Sequence, residues 1–119
     1  ADTWEDFLFN TQLFADNLTP IKGASEDVVE QVGQCDTLLI DTWHTRECAE
    51  KALFDYWPKL KMNGLLLMHD MKKSWKWPDM AELRQDLEKL PVLEDRRLVH
   101  TLFSARKASD ETITQASFT

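Results

Sequence analysis

The sequence has few cysteines, few glycines and no long apolar run. Its 119 residues include two cysteines, Cys35 and Cys48, which are too few and too irregularly spaced for a disulfide framework, so we expect free thiols in a reducing compartment. No apolar stretch approaches the ~18 residues of a membrane span. The acidic N-terminus, ADTWEDFLFN, lacks the basic segment that begins a signal peptide. We therefore expect a cytoplasmic protein with no membrane partner.

Positive charge is also scarce. There are 14 lysines and arginines against 21 aspartates and glutamates, which gives a net charge of −7. This balance argues against the broad positive field that binds nucleic acid, and equally against binding to an anionic membrane surface. Apolar residues make up 43% of the chain, enough for a packed core at this length. We therefore expect a single domain over residues 1–119.

Two continuously apolar runs are typical of buried strands, residues 37–41 (TLLID) and 65–69 (LLLMH). Between them, residues 45–57 have the spacing of an amphipathic helix, and Asn63-Gly64 predicts a turn. Helices are also expected over 3–17, from Glu26 behind a Ser25 cap, and from Asp79, while 97–107 alternates like an antiparallel strand that contains His100. This order predicts an α/β fold with an open, mostly parallel sheet and flanking helices.

The two apolar runs end in similar chemistry. The first continues into LLIDTWH and the second into LLMHD. Because parallel strands end at a common edge of the sheet, Asp41 and Asp70 should lie close enough to share a divalent cation. His44 is suited to take a proton from a substrate hydroxyl polarised by that cation. His69 either joins the site or, since neighbouring strand residues face opposite ways, points back into the sheet, and the alternation favours a buried or indirect role.

Other interpretations of these residues are weaker. Asp41 could simply cap the helix that begins near Arg46. A zinc site could use Cys35, Cys48, His44 and His69. However, Cys35 should lie at the opposite end of its strand from Asp41. A His-Asp pair like His69-Asp70 also occurs in metal phosphohydrolases. Those proteins place the pair on a helix, whereas here it ends an apolar strand.

Two further stretches invite a functional interpretation. The segment MKKSWKWPDM, residues 71–80, alternates basic residues with tryptophans and could form a lid or substrate wall, or only cover the surface. The charged residues over 46–61 are typical of a solvated helix face.

Three segments resemble class I S-adenosylmethionine-dependent methyltransferases, especially the metal-dependent O-methyltransferases: GASEDVVEQV (23–32), LLIDTWH (38–44) and KLKMNGLLLMHD (59–70). The first two resemble catechol O-methyltransferase. The DxxH pattern and the closing His-Asp are more similar to sugar and macrolide O-methyltransferases and their cephalosporin-biosynthesis relatives. The resemblance covers about fifty residues and implies methyl transfer from S-adenosylmethionine to a hydroxyl of a small molecule, assisted by Mg²⁺.

The resemblance also implies a role for each matching residue. His44 would be the general base. The cofactor would contact Gly23, Ala24, Ser25, Glu26, Thr42 and Trp43. The metal ligands would be Asp41, Asp70 and His69. His69 stands where the family often has an acidic ligand.

Half of the family pattern has no counterpart. The Gly-rich cofactor loop is missing, since the three glycines are not grouped, and so are the ribose-binding acid and the central first strand. In the family that strand lies beside the one ending at Asp41, so the sheet edge needs a cover. The chain is therefore a fragment, or it is completed by a partner chain or a second copy of itself. Alternatively, it is a shortened, non-catalytic relative that acts in binding or oligomerisation.

Overall fold

A four-stranded sheet forms the centre of the fold in the computed structural model, which describes residues 3–42, 45–72 and 78–118. The strands are β1 (Cys35–Ile40), β2 (Leu60–Met68), β3 (Leu93–Val99) and β4 (Leu102–Lys107), in the spatial order β1-β2-β4-β3. The pair β1–β2 is parallel, whereas β2–β4 and β3–β4 are antiparallel. The predicted open α/β fold is confirmed, but the sheet is mixed rather than mostly parallel, because among the described strands only the two apolar runs pair in parallel.

Three helices accompany these strands: α1 (Thr3–Asn10), α2 (Arg46–Tyr56) and α3 (Pro78–Leu87). Helix α2 begins after Thr45, whose side chain accepts a hydrogen bond from the backbone N–H of Cys48 at 3.2 Å. Asp41 is therefore not needed as the helix cap. None of the described helices has the length and apolar character needed to cross a bilayer.

The core lies on one face of the sheet. Alternate strand residues point to this face, and α2 and α3 cover it. Its central members are Ile40, Leu53, Trp57, Leu66, Met68, Leu83 and Phe103. The C-terminal segment also contributes, because Ile113 is buried and the indole N–H of Trp57 donates to the carbonyl of Glu111 at 2.9 Å. Among the described strands β1 is an edge strand, and the Leu39 side chain on the opposite face is 59% exposed.

The turn predicted at Asn63-Gly64 is wrong, because both residues lie inside β2. The left-handed φ of Asn63, 65°, belongs instead to an irregularity in the pairing with β1. Glycine is required next to it, since a Cβ at Gly64 would lie 2.6 Å from Leu60 Cδ1 and 2.9 Å from the carbonyl oxygen of Asp36. A left-handed φ and a missing side chain are typical of turns, but in this sequence they let β1 and β2 approach closely.

The single strand predicted over 97–107 is two strands joined by a tight turn at His100-Thr101. Val99 pairs with Leu102 across this turn, and His100 has a φ of 54°. The alternating pattern of residues 97–107 does not reveal the turn, because both strands of the hairpin have the same side-chain period of two residues. The predicted antiparallel pairing is confirmed, whereas the predicted position of His100 inside a strand is wrong.

The N-terminal helices are shorter than predicted. The helix expected over 3–17 divides into α1 and a 3₁₀ helix, Gln12–Asn17, and the segment after Ser25 forms two 3₁₀ turns, Ser25–Asp27 and Val29–Gln31, rather than an α-helix. The β-branched side chains at 28, 29 and 32 lower helix propensity, and no residue from 3 to 39 is buried to compensate. The predicted Ser25 cap is therefore wrong.

Candidate metal and cofactor site

The parallel pair β1–β2 brings the two predicted acids to one edge of the sheet. The register ends with Ile40 opposite Met68, and the backbone N–H of His69 donates to the carbonyl of Ile40 at 3.1 Å, which continues the pairing by one residue. Asp41 and Asp70 follow directly. Asp41 and Asp70 therefore lie at one edge, as expected from the sequence, because of the register of β1 against β2.

The backbone after β2 is fixed on both sides of Asp70. His69 is bonded to β1, and the N–H of Met71 donates to the carbonyl of Thr101 at 2.8 Å in the β3–β4 turn. The Met71 side chain is fully buried, and Asp70 between these anchors has a φ of 59°. Aspartate adopts this left-handed conformation more readily than most residues, which suits it to this bend.

The side chains of Asp41, His69 and Asp70 form one group whose potential ligand atoms all lie within 4.8 Å of one another. The Nδ1 atom of His69 lies 3.0 Å from Oδ2 of Asp70 and 3.4 Å from Oδ1 of Asp41. The expectation of a buried His69 is wrong, since its side chain is 44% exposed. The strand ends at Met68, so strand alternation no longer decides which way residue 69 points.

The spacing of these atoms fits a divalent cation. Two ligand atoms at right angles around an ion at ~2.1 Å lie ~3.0 Å apart, close to both distances from the imidazole nitrogen. The donors are two carboxylates and one imidazole, a mixed set that binds divalent metals. The alternative zinc set is weakened, because Cys35 lies at the start of β1, away from Asp41, and both cysteines are free.

A second feature adjoins this group. Ser25, Glu26 and Thr42, three of the predicted cofactor residues, line a pocket of about 370 Å³. The hydroxyl of Tyr56 donates to the carbonyl of Ser25 at 2.6 Å and holds the 3₁₀ turn against α2. Burial raises the pKa of Tyr56, which keeps this hydroxyl protonated as a donor.

The remaining walls of this pocket come from residues that the sequence did not link to the cofactor. They lie on the first turns of α2 and are Glu47, Cys48 and Lys51. Their pattern in the sequence is that of a solvated helix face, and no motif marks them. Only the placement of the 3₁₀ turn beside α2 makes them part of a pocket.

Asp41 connects the two features. Together with Ser25 and Thr42 it lines a neighbouring pocket of about 240 Å³ along the edge of β1. Gly23 instead lines a different pocket, beside α1 with Trp4. Ala24 supplies the carbonyl that accepts from the N–H of Asp27 and so begins the 3₁₀ turn.

Two predicted site residues, His44 and Trp43, lie outside the described residues, and so does half of the predicted lid over 71–80, residues 73–77.

Open α/β sheets bind ligands beyond the carboxyl ends of their parallel strands, which is where the acids and the two pockets of this chain lie. Residues 1–71, more than half of the chain, match a family of methyltransferase domains, and the chain belongs to this family. The resemblance to class I methyltransferases in the sequence is thereby confirmed. No significantly similar sequence was found among curated proteins.

Two solved structures with a similar fold are those of MycE, a methyltransferase from the mycinamycin biosynthetic pathway. One contains Mg, SAH and mycinamycin VI, and has a TM-score of 0.56 and 15% sequence identity. The other contains Mg and SAH, and has a TM-score of 0.56 and 12% identity. The match covers 76% of this chain in both cases, but only 32% and 33% of the MycE chains, so this chain spans about a third of their length.

Proposed function

We propose that this chain carries the metal and substrate side of an S-adenosylmethionine-dependent O-methyltransferase, which methylates a hydroxyl group of a small molecule. The observation that carries the proposal is the convergence of Asp41, His69 and Asp70 at the shared end of two parallel strands. Membership of a methyltransferase family and the Mg and SAH in the MycE structures support it.

The proposed roles follow from position. When bound, S-adenosylmethionine supplies the methyl group and Mg²⁺ lowers the pKa of the substrate hydroxyl. Asp41, Asp70 and His69 would hold the cation. Ser25, Glu26 and Thr42 would orient the cofactor in the pocket beside α2, with Gly23, Ala24 and Trp43 on the adjoining segments. The proton of the hydroxyl would pass to His44, three residues after Asp41 in the sequence.

Calorimetric titration with S-adenosylmethionine, with and without Mg²⁺, tests this proposal. We expect binding of both, and loss of cation binding in Asp41→Asn, because the neutral amide removes one of two carboxylate ligands. Asp36→Asn is the matched control. It lies at the other end of β1, where Asp36 is 86% exposed and pairs only loosely with Lys61 at 3.4 Å, so its cation affinity should be unchanged. Full cation affinity in Asp41→Asn would contradict the proposed site.

A second candidate function is a non-catalytic methyltransferase-like module that acts in binding or oligomerisation. The position of β1 at the edge of the described sheet and the exposed Leu39 favour it, because an edge strand can pair with another chain. Sedimentation over a range of protein concentrations separates the two functions. Self-association that Leu39→Lys abolishes, without any binding of S-adenosylmethionine, would support the module. A monomer that binds the cofactor would exclude it.

A further inference from the structure

We infer that the Asp41–His69–Asp70 site selects a first-row transition-metal ion over Mg²⁺, and that His69 is the selecting ligand. The inference rests on the proposed function only in taking these three side chains as the cation site. It goes beyond that function by naming the class of cation and the residue that selects it.

The geometry places the imidazole inside the ligand group. Nδ1 of His69 lies within 3.4 Å of a carboxylate oxygen on either side, Asp41 Oδ1 and Asp70 Oδ2. An ion that contacts both carboxylates is therefore also within reach of the ring nitrogen. The side chains of Asp41, His69 and Asp70 are 58%, 44% and 23% exposed, so a hydrated ion can reach all three.

The donor chemistry favours a transition metal. Mg²⁺ prefers oxygen ligands, keeps several of its waters and gains little when a nitrogen replaces one of them. Imidazole binds first-row transition metals such as Fe²⁺, Ni²⁺ and Zn²⁺ well, and Mn²⁺ is the weakest binder of that series, so it is the most demanding probe of the preference. Histidine at position 69 also leaves the site with two negative charges, where an acid would give three. The hard ion thus loses attraction, while the transition metal gains a bond.

Without an ion, the His69 side chain pairs with Asp70 at 3.0 Å and with Asp41 at 3.4 Å. Ion pairs between groups this exposed contribute little to folding stability. The local backbone is held by the N–H of His69 on Ile40 and by the N–H of Met71 on Thr101, neither of which depends on the ring. We therefore expect substitutions of the His69 side chain to leave the fold intact.

Competition experiments followed by electron paramagnetic resonance test the inference. Free Mn²⁺ is titrated with the wild-type chain and then displaced with Mg²⁺. We expect the wild type to bind Mn²⁺ at least about tenfold more tightly than Mg²⁺, and His69→Asp to reduce this ratio by at least about tenfold. His100→Asp is the matched control. It makes the same chemical change in the β3–β4 turn, at a left-handed position that aspartate tolerates, and should leave the ratio within about twofold.

A second variant gives a readout that does not depend on affinity. Pulsed measurements on bound Mn²⁺ should show coupling to an imidazole nitrogen in the wild type and none in His69→Gln. Far-ultraviolet circular dichroism confirms that each variant is folded. The Gln variant keeps the test decisive if the Asp variant does not fold.

The alternative outcomes are distinguishable. Equal affinities for Mn²⁺ and Mg²⁺ in the wild type, an unchanged ratio in His69→Asp, or no nitrogen coupling would overturn the inference and leave the proposed methyltransferase function standing. Selective Mn²⁺ binding without any binding of S-adenosylmethionine would support the inference and reject that function. Binding of neither cation would reject both the selectivity and the metal site.

Discussion

Two parts of the molecule differ in how they are held together. In the first part, residues 3–39, none of the described side chains is buried, and large apolar residues such as Phe9 and Leu13 are exposed. Every buried residue among those described belongs to the second part, residues 40–118. The candidate metal ligands belong to the second part, whereas Ser25 and Glu26 of the candidate cofactor pocket belong to the first. The two halves of the candidate site therefore differ in how many buried residues support them.

The largest contrast is expected from one leucine in each part. Leu53→Ala removes a fully buried side chain between α2 and the sheet and should lower the free energy of unfolding by about 2–5 kcal/mol, because it leaves a cavity. Leu13→Ala, at a site that is 89% exposed, should change it by less than ~0.5 kcal/mol. Urea denaturation measures both. Similar losses of stability in the two variants would contradict the division of the molecule into an exposed part and a part with a buried core.

Two lysines provide the next contrast. The buried ammonium of Lys107 donates to the carbonyls of Trp57 and Leu60, at 3.0 and 2.7 Å, and lies 4.7 Å from the centre of the Trp57 ring. Lys107→Met leaves both carbonyls without this donor and should cost about 1–3 kcal/mol. The ammonium of Lys22 lies 6.0 Å from the centre of the Trp4 ring, and Lys22→Met should cost at most about 0.5 kcal/mol. Thermal and urea unfolding check both values, and an unaffected Lys107 variant would show that the ammonium is dispensable.

A smaller effect is expected from two threonines at helix starts. Thr45→Ala removes the side-chain cap of α2 and should lower stability by about 1 kcal/mol. Thr11 precedes the 3₁₀ helix Gln12–Asn17 without capping it, and its hydroxyl makes only an exposed hydrogen bond, which it donates to the carbonyl of Phe7 at 2.8 Å. Thr11→Ala should therefore be nearly neutral, within ~0.5 kcal/mol. Equal losses in urea denaturation would mean that the N-terminal segment is held as firmly as α2.

A stability effect of similar size to that of Thr45→Ala, and the sharpest test of how the two parts are joined, is expected from Tyr56→Phe. This variant removes the hydrogen bond to the carbonyl of Ser25 and should cost ~0.5–1.5 kcal/mol at most. If that bond positions the 3₁₀ turn, the affinity for S-adenosylmethionine should fall while the affinity for the cation stays constant. Calorimetry with each ligand separately measures the two values. A parallel loss of cation affinity would show that the parts are coupled.

Sequence reasoning succeeded where it depended on the sheet. Continuous apolar runs indicated a pair of parallel strands, and parallel strands share an edge, so the meeting of Asp41 with Asp70 could be predicted without coordinates. It failed where the same residues are compatible with two different local structures. Asn63-Gly64 supports a turn and a pairing irregularity equally well, and only the position of β1 decides between them.

The candidate cofactor pocket could be predicted only in part. Ser25, Glu26 and Thr42 were found through a motif, whereas Glu47 and Lys51 line the pocket because a 3₁₀ turn packs beside α2. Such a contact depends on tertiary packing and produces no periodic pattern in the sequence. The exposure of His69 was missed for a related reason, since alternation predicts side-chain direction only while the strand continues.

The register of β1 against β2 would link ion binding at the proposed site to folding. Asp41 is separated along the chain from His69 and Asp70 by the whole of α2, so the three ligands meet only after this long-range pairing has formed. An ion that recognises the paired strands and not the unfolded chain must shift the equilibrium towards the native state by mass action. The melting temperature should therefore rise with the concentration of the bound metal, and a chelator should reverse the rise.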